Sequence, residues 1–458
     1  MPSEEESESF EVQGHFWLPA QPDKQIAGIL KFDRDSGGTL SLIGNFRDEN
    51  EMFSEPAQEV ARIVGQTDKK LYTLDGCLTK QSSIQIFSGV GRQQFSVSRI
   101  IEGALYEPGE EVTVDTMTVS YTYLLNWTNL SGISTEITFR EGVAGFEQLS
   151  IKSEPVENQV CSIPAGELTL QHSVRHSDRH IAGQSVSQHV QAKFDFKSPI
   201  PLDRALDAAS DLQDLLTFAN DRVCAFESVH FSHPDLEHEW ESGKTHRLSA
   251  RLFAQWRAKA KINPRRLHLD HDMCFTYAQL GGAEGVGRFM CAINDYRSQV
   301  GRVSNTRYNT SMFLQDILLA RVASLESFHA AKYPNKKVSY TTKNGKVKQR
   351  PLTLLERLEE VVATAGDPFT EIFGADADGA RRLTAWLEKA KDERNNVAHH
   401  LGRDLHGNAA ELFYVAEAAY WLFVIAMMRE ASSPADAIEH LRKNRRLAFT
   451  GEQLRSFL

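Results

Sequence analysis

The stretch Gly28–Phe46, GILKFDRDSGGTLSLIGNF, decides the first half of the fold. Two runs, GILKFDR and TLSLIGNF, are strand-like, and Asp35-Ser36-Gly37-Gly38 supplies turn chemistry between them. That is the pattern of a β-hairpin. Working outward, KLYTLDGCLTK, SSIQIFS, QQFSVSRIIEG, VTVDTMTVSYTYLLNW and ISTEITF are further strand candidates, several alternating in polarity and rich in Val, Ile, Thr, Tyr and Phe. Residues 10–200 are therefore expected to form an antiparallel β-rich domain, a sandwich or a barrel, preceded by an acidic disordered tail, residues 1–9 (MPSEEESES).

After Pro199 and Pro201 the period changes. Leu206, Leu212, Leu215, Leu216 and Phe218 recur at helical spacing, and RVCAFESVHFS follows as another strand candidate, so 201–300 reads as a mixed segment completing the N-terminal part. Beyond Ser311, SMFLQDILLARVASLESFHAAKY, PLTLLERLEEVVATAG, ARRLTAWLEKAKDERNNVAHH and AAELFYVAEAAYWLFVIAMMREA predict four helices, and 301–458 reads as an α-helical bundle. The expected fold class is α+β and multidomain, a β-rich N-terminal domain followed by a C-terminal helical bundle.

At 458 residues the chain is long enough for two or three cores. A net charge of −10 repels nucleic acid overall, so any RNA contact has to come from a local basic segment or one shaped cleft. The acidic start does not resemble a secretory signal, and the apolar run Ala418–Met428 is too short to span a bilayer. Five scattered cysteines without a C-x-x-C pair suit a reducing compartment, so a cytoplasmic location without membrane contact is expected. No P-loop, Gly-x-Gly-x-x-Gly or Gly-x-Ser-x-Gly occurs, which leaves nucleotide hydrolysis, dinucleotide redox and α/β-hydrolase chemistry without support.

The helix beginning near Asp378 has an apolar stripe at Leu383, Leu387, Ala390, Val397 and Leu401. Arg394 fills the gap in that stripe, where an always-charged fork needs an anionic partner. His399 lies five residues on, about 140° away round an ideal helix, whereas Asn395 shares a face with His399. One straight helix does not aim Arg394 and His399 together. Either the helix distorts or a second copy supplies part of the site across a two-fold axis, and the second arrangement is preferred. Three R-x4-H pairs occur, Arg175/His180, Arg266/His271 and Arg394/His399, and only the last lies in a long helix of the bundle with Asn directly after the arginine. A core ion pair with an acidic residue such as Glu417 is the plain alternative for Arg394, a solvated helix end that for His399, and a surface position that for Asn395. His400 is a second candidate for the histidine.

The stretch Arg394-Asn395-Asn396-Val397-Ala398-His399 resembles the R-x4-H motif of HEPN ribonucleases, and GHFWLP, the GILKF hairpin and PLDRALDAASDLQDLLTFA resemble the N-terminal part of the ApeA family of bacterial anti-phage HEPN proteins. The resemblance implies a dimeric or higher even-numbered HEPN assembly that cuts RNA, a transfer RNA for example, and halts translation in an infected cell. It implies an N-terminal domain that senses a phage-encoded trigger or restrains the nuclease. A histidine titrating near neutrality can move the proton of a 2′-hydroxyl or of the leaving oxygen while arginine stabilises phosphate charge, with no metal or other cofactor. Products bearing 2′,3′-cyclic phosphate are expected, and DNA should resist.

KYPNKKVSYTTKNGKVKQR, residues 332–350, reads as a basic β-hairpin inserted in the bundle, turning at Asn344-Gly345. Lys336, Lys337, Lys343, Lys346, Lys348, Arg350 and Tyr340 are its candidate RNA contacts, through phosphates and base stacking, against a plain solvated loop. His172, His176 and His180 have a spacing that would hold zinc on a helix, but the pattern round them is not helical. His268, Asp270, His271, Asp272 and Cys274 read as loop and capping residues.

Overall fold

The computed structural model describes residues 9–46, 59–83, 91–140, 145–177, 181, 183–234, 237–239, 245–260, 268–399 and 409–458. Met1–Ser120, Ala192–Asp207 and Phe226–Arg257 form one compact unit, and Tyr121–Gln191, Ala208–Ala225 and Ala258–Leu458 form another. The sequence predicts contiguous blocks, 10–200, 201–300 and 301–458, whereas both units are discontinuous. Strand pairing and helix packing join residues far apart in the chain, and local periodicity carries no record of that.

The first unit is built on a closed six-stranded barrel. Strands β1 (Ser9–Trp17), β2 (Ile26–Asp33), β3 (Gly37–Ile43), β4 (Glu59–Gln66), β5 (Leu71–Ser83) and β6 (Arg92–Glu102) run in the order β6-β3-β2-β1-β4-β5, and β5 pairs back onto β6. Every neighbour pair is antiparallel. The quoted hairpin is β2 and β3, registered Leu30 opposite Leu40 and Asp33 opposite Gly37. Its turn is held by Asp33, whose Oδ1 accepts from the backbone of Asp35 and Ser36. Gly37 follows with φ +79°, a conformation costly for residues with a side chain. Alternate residues fill the barrel: Leu30, Phe32, Leu40, Leu42, Ile63, Leu74, Phe95 and Ile100 pack with Phe16 in one buried cluster.

Closure leaves a mark at β1 and β4. Phe16 lies opposite Gly65, and a Cβ on Gly65 would sit 2.3 Å from the Phe16 ring. From β6 the sheet continues through Ala250–Ala254, Phe226–Ser232 and Thr113–Tyr121 to the Ala192–Pro201 part of the strand Val186–Pro201. Of the expected tail 1–9, Ser9 belongs to β1, and residues 1–8 lie outside the described residues. VTVDTMTVSYTYLLNW is not one strand either. The strand ends at Tyr121 and Leu124–Thr128 forms a helical turn, with Tyr123 in the left-handed region. Trp127 is buried there and its Nε1 donates to the Phe275 carbonyl at 2.9 Å, so packing overrides the strand propensity of that run.

The second unit is mostly helical. Its helices include Gly282–Asp295, Arg297–Tyr308, Leu314–Lys332, Leu354–Ala365, Gly379–His399, Ala409–Glu430, Ala435–Arg442 and Arg445–Phe457. Ala409–Glu430 is the central one, buried at every position from Val415 to Met428, as expected of a helix apolar all round. Its 22 residues make it the one helix among those described that is long and apolar enough to cross a membrane. It packs against Leu314–Lys332, Leu354–Ala365, Gly379–His399 and Arg445–Phe457. Leu354–Ala365 starts on a capping box in which Thr353 Oγ1 accepts from the Glu356 amide and the Glu356 carboxylate accepts from the Thr353 amide. The expected basic hairpin is present as strands Lys337–Thr341 and Val347–Pro351, with Tyr340 opposite Lys348 and Gly345 at φ +73°.

Candidate functional site: a tethered arginine beside a basic hairpin

Arg394 sits on Gly379–His399, whose buried stripe is Trp386, Leu387 and Ala390. Trp386 anchors the helix. It packs edge-on to Phe369, and its Nε1 donates to the Val415 carbonyl of the central helix at 3.2 Å. Two turns further on, the stripe meets Leu314–Lys332. There Arg394 Nη2 donates to Glu326 Oε2 at 2.6 Å, and Nη1 donates to Asn395 Oδ1 at 3.0 Å. The Arg394 side chain keeps 23% of its surface and that of Glu326 29%, so the pair stands at an edge of the bundle. Arg394 Nε is buried with no hydrogen-bond partner among the described residues.

Glu417, the acidic partner expected for a core arginine, is occupied elsewhere. It receives Arg307 at 2.9 Å and Arg321 at 2.7 Å. Burial opposes the Glu417 charge, but the two arginines outweigh it and hold the carboxyl below its usual range. Glu326 is absent from the site residues that the sequence pattern suggests. It lies 68 positions from Arg394, and one glutamate in SLESFHAAK carries no local signal.

His399 is the last residue of the helix, and His400 lies outside the described residues. The structure therefore places Arg394 and Asn395 together, with the Asn395 amide turned to the arginine; the described side chains do not include His399. Three residues beyond Glu326, on the same helix, His329 is 2% exposed and its Nε2 is 2.5 Å from Glu360 Oε2. Lys336, at the base of the hairpin, meets the same carboxylate at 2.8 Å.

The hairpin divides into tethered and free cations. Arg350 forms a fork on Glu356, Nη1 at 2.7 Å and Nη2 at 2.8 Å. That fork, with the Thr353 bonds, holds the Glu356 carboxyl at about 2. Lys336 is tethered to Glu360 and lies 4.8 Å from the Tyr333 ring centroid. Lys337, Lys343, Lys346 and Lys348 are exposed and have no ion-pair partner among the described residues. Tyr340 and Lys348 are a cross-strand pair, so they share one face of the hairpin. The hairpin follows directly on Leu314–Lys332, and six residues of helix, about 9 Å of rise, separate Glu326 from the hairpin base.

The other clusters do not build a site. His172 and His176 lie on the strand Gly166–His176, not on a helix, and His180 is outside the described residues. Asp270–Asp272 is a short 3-10 turn, with Asp272 accepting from the Leu269 amide at 3.5 Å and Cys274 fully buried. Among the described residues no group of three or more His, Cys, Asp or Glu could hold a metal ion.

Fold and geometry together define a protein with a closed β barrel and a helical region that carries a tethered arginine next to a cationic hairpin. The chain belongs to the ApeA N-terminal domain 1 family, whose model matches residues 11–284. No curated protein and no solved structure matches the chain.

Proposed function

We propose that this protein is a metal-independent endoribonuclease of the HEPN kind, acting in anti-phage defence of the ApeA type. The observation that carries the reading is Arg394, held by Glu326 at an edge of a helical bundle where its side chain keeps 23% of its surface. A guanidinium oriented by a carboxylate and still partly open to solvent is suited to meet a phosphate. The 2′-hydroxyl oxygen of RNA attacks the adjacent phosphorus, its proton passing to a base. The 5′-oxygen leaves with a proton from an acid, giving a 2′,3′-cyclic phosphate and a 5′-hydroxyl. His399 serves as the proton carrier and Arg394 stabilises the charge on the phosphate oxygens. A second chain brings the two groups together, and the active form is a homodimer or a larger even-numbered assembly. The free lysines of the hairpin, with Tyr340, hold the RNA. The barrel unit receives a phage-encoded trigger, and the protein works in the cytoplasm.

The decisive experiment is cleavage of total cellular RNA in EDTA by wild type and by His399→Ala, with and without lysate from phage-infected cells, reading the fragment ends. Cyclic-phosphate ends seen only with wild type support the proposal. Equal patterns from the two proteins under both conditions would overturn it. The Glu326 ion pair also favours a second reading, a non-catalytic helical module in which Arg394 is structural. That reading requires His399→Ala to leave phage protection intact.

A further inference from the structure

A cavity of about 670 Å3 lies where the short strand Gln159–Ile163 packs against the helix Gly282–Asp295, and it shares no lining residue with the Arg394 site or the hairpin. Two of its lining residues are cysteines, Cys161 on the strand and Cys291 on the helix. Of the five cysteines in the chain, Cys77, Cys224 and Cys274 are fully buried, whereas Cys161 is half-buried and Cys291 exposed. The two thiols that solvent reaches therefore line one and the same cavity.

Gly287 sets how closely strand and helix approach. A Cβ at that position would stand 2.8 Å from the Ser162 carbonyl oxygen, 3.4 Å from Cys161 Cβ and 3.7 Å from Cys161 Sγ. Cys291 comes four residues after Gly287, so it projects from the same face of the helix one turn on. Its charge is felt at Cys161: burial pushes that thiol up to about 11, and the neighbouring Cys291 and Glu167 add to the rise. A disulfide needs Cβ atoms about 3.5–4.5 Å apart. Gln159–Ile163 pairs only with Gly166–His176 among the described residues, and a five-residue edge strand held on one side has the freedom to close the remaining distance along the helix.

The lining selects the oxidant. Glu430 is taken by Lys332, but Glu167, Glu284 and Asp295 still outnumber the one lining cation, Arg288. An anionic oxidant such as glutathione disulfide is repelled there, whereas a small neutral one enters. We propose that Cys161 and Cys291 are a peroxide-reactive dithiol that closes to a disulfide between the strand and the helix. The exposed Cys291 thiolate attacks one oxygen of hydrogen peroxide, the O–O bond breaks, hydroxide leaves and a sulfenic acid forms. The Cys161 sulfur then attacks the sulfenic sulfur, the S–S bond forms and a second hydroxide leaves. The two thiol protons end on the two hydroxides, so two thiols and one peroxide give one disulfide and two waters. The bond ties down the helix Gly282–Asp295, which packs on the central helix.

Peptide mapping of the full chain tests this: the reduced protein is treated with hydrogen peroxide, alkylated and digested with trypsin without reductant. The expected product joins Ser153–Arg175 to Phe289–Arg297, with two thiols lost per chain and both recovered in dithiothreitol. Cys291→Ser should slow the loss of the Cys161 thiol at least tenfold, and Cys161→Ser should leave Cys291 as a sulfenic acid that dimedone labels. Thermal melts show that both variants fold. Glutathione disulfide at equal concentration should link the pair at least tenfold more slowly than peroxide. No linked peptide in millimolar peroxide overturns the proposal, as does a link that joins two chains on a non-reducing gel. So does a Cys161 thiol lost at the wild-type rate in Cys291→Ser, or a glutathione disulfide that works as fast as peroxide.

Discussion

At the scale of single residues, the chemistry turns on what each buried or half-buried charge touches. Arg394→Ala should reduce RNA cleavage at least a hundredfold while leaving the melting temperature within a few degrees, because a surface-edge pair contributes only about 0–1 kcal/mol. A loss of activity tracked by a collapse of the fold would assign Arg394 a structural role instead. Glu326→Gln should weaken cleavage less than Arg394→Ala, since the amide still accepts the Nη2 bond at 2.6 Å. Steady-state rates of the two variants side by side check that order.

A second residue sets a pH dependence of stability. Asp214 is fully enclosed, and burial pushes its carboxyl up to about 7 against the pull of its hydrogen bonds with Tyr308 and Ser304, while Asp211 adds to the rise. The folded chain therefore holds a proton there that the unfolded chain gives up near pH 4. Stability is full below that unfolded value, falls as pH climbs toward 7, and stays low beyond it. A shift from 3.8 to about 7 corresponds to about 4 kcal/mol at most. Asp214→Asn should flatten the decline in melting temperature between pH 5 and pH 8, and an unchanged slope would show that another group sets it.

At the scale of elements, the basic hairpin and the helix carrying Arg394 can be separated by experiment. Reversing Lys337, Lys343, Lys346 and Lys348 to Glu should weaken RNA binding without preference for sequence and flatten its dependence on salt, because these contacts release counterions from phosphate. A salt dependence equal to wild type would mean that the hairpin does not hold RNA. The helix answers differently. Trp386→Ala should cost about 3–5 kcal/mol, since it empties the contact with Phe369 and Phe373 and drops the bond to Val415. Chemical denaturation measures that loss, and a cost below about 1 kcal/mol would mean that neighbouring rings refill the space.

At the scale of the whole molecule, the preferred arrangement joins Arg394 of one chain to His399 of another. Mixing Arg394→Ala chains with His399→Ala chains should restore cleavage that neither shows alone, because each mixed dimer regains one intact pair of residues. If the mixture stays inactive although mixed dimers form, the two residues act within one chain. The family match spans residues 11–284, so it includes segments of both compact units. The sequence pattern of that family therefore describes more than the barrel.

Much of this was readable from sequence where the deciding interactions are local. The β2–β3 hairpin announced itself through strand-like runs and an Asp35-Ser36-Gly37-Gly38 turn, and the four helices from Leu314 to Glu430 through their apolar repeat. The basic hairpin was equally legible, since Asn344-Gly345 and the flanking strands are neighbours in the chain. Helix turns and tight hairpins satisfy their backbone groups within a few residues, so composition and spacing suffice to specify them. Barrel closure was not readable, because β1 meets β4 and β3 meets β6 across gaps that no periodicity spans. The partner of Arg394 was not readable either: of many glutamates, only packing of two helices selected Glu326 and sent Glu417 to Arg307 and Arg321. Sequence alone determined the elements and where a charge would need a partner. Tertiary structure decided which partner, since an ion pair forms wherever packing brings opposite charges within reach, however far apart they lie along the chain.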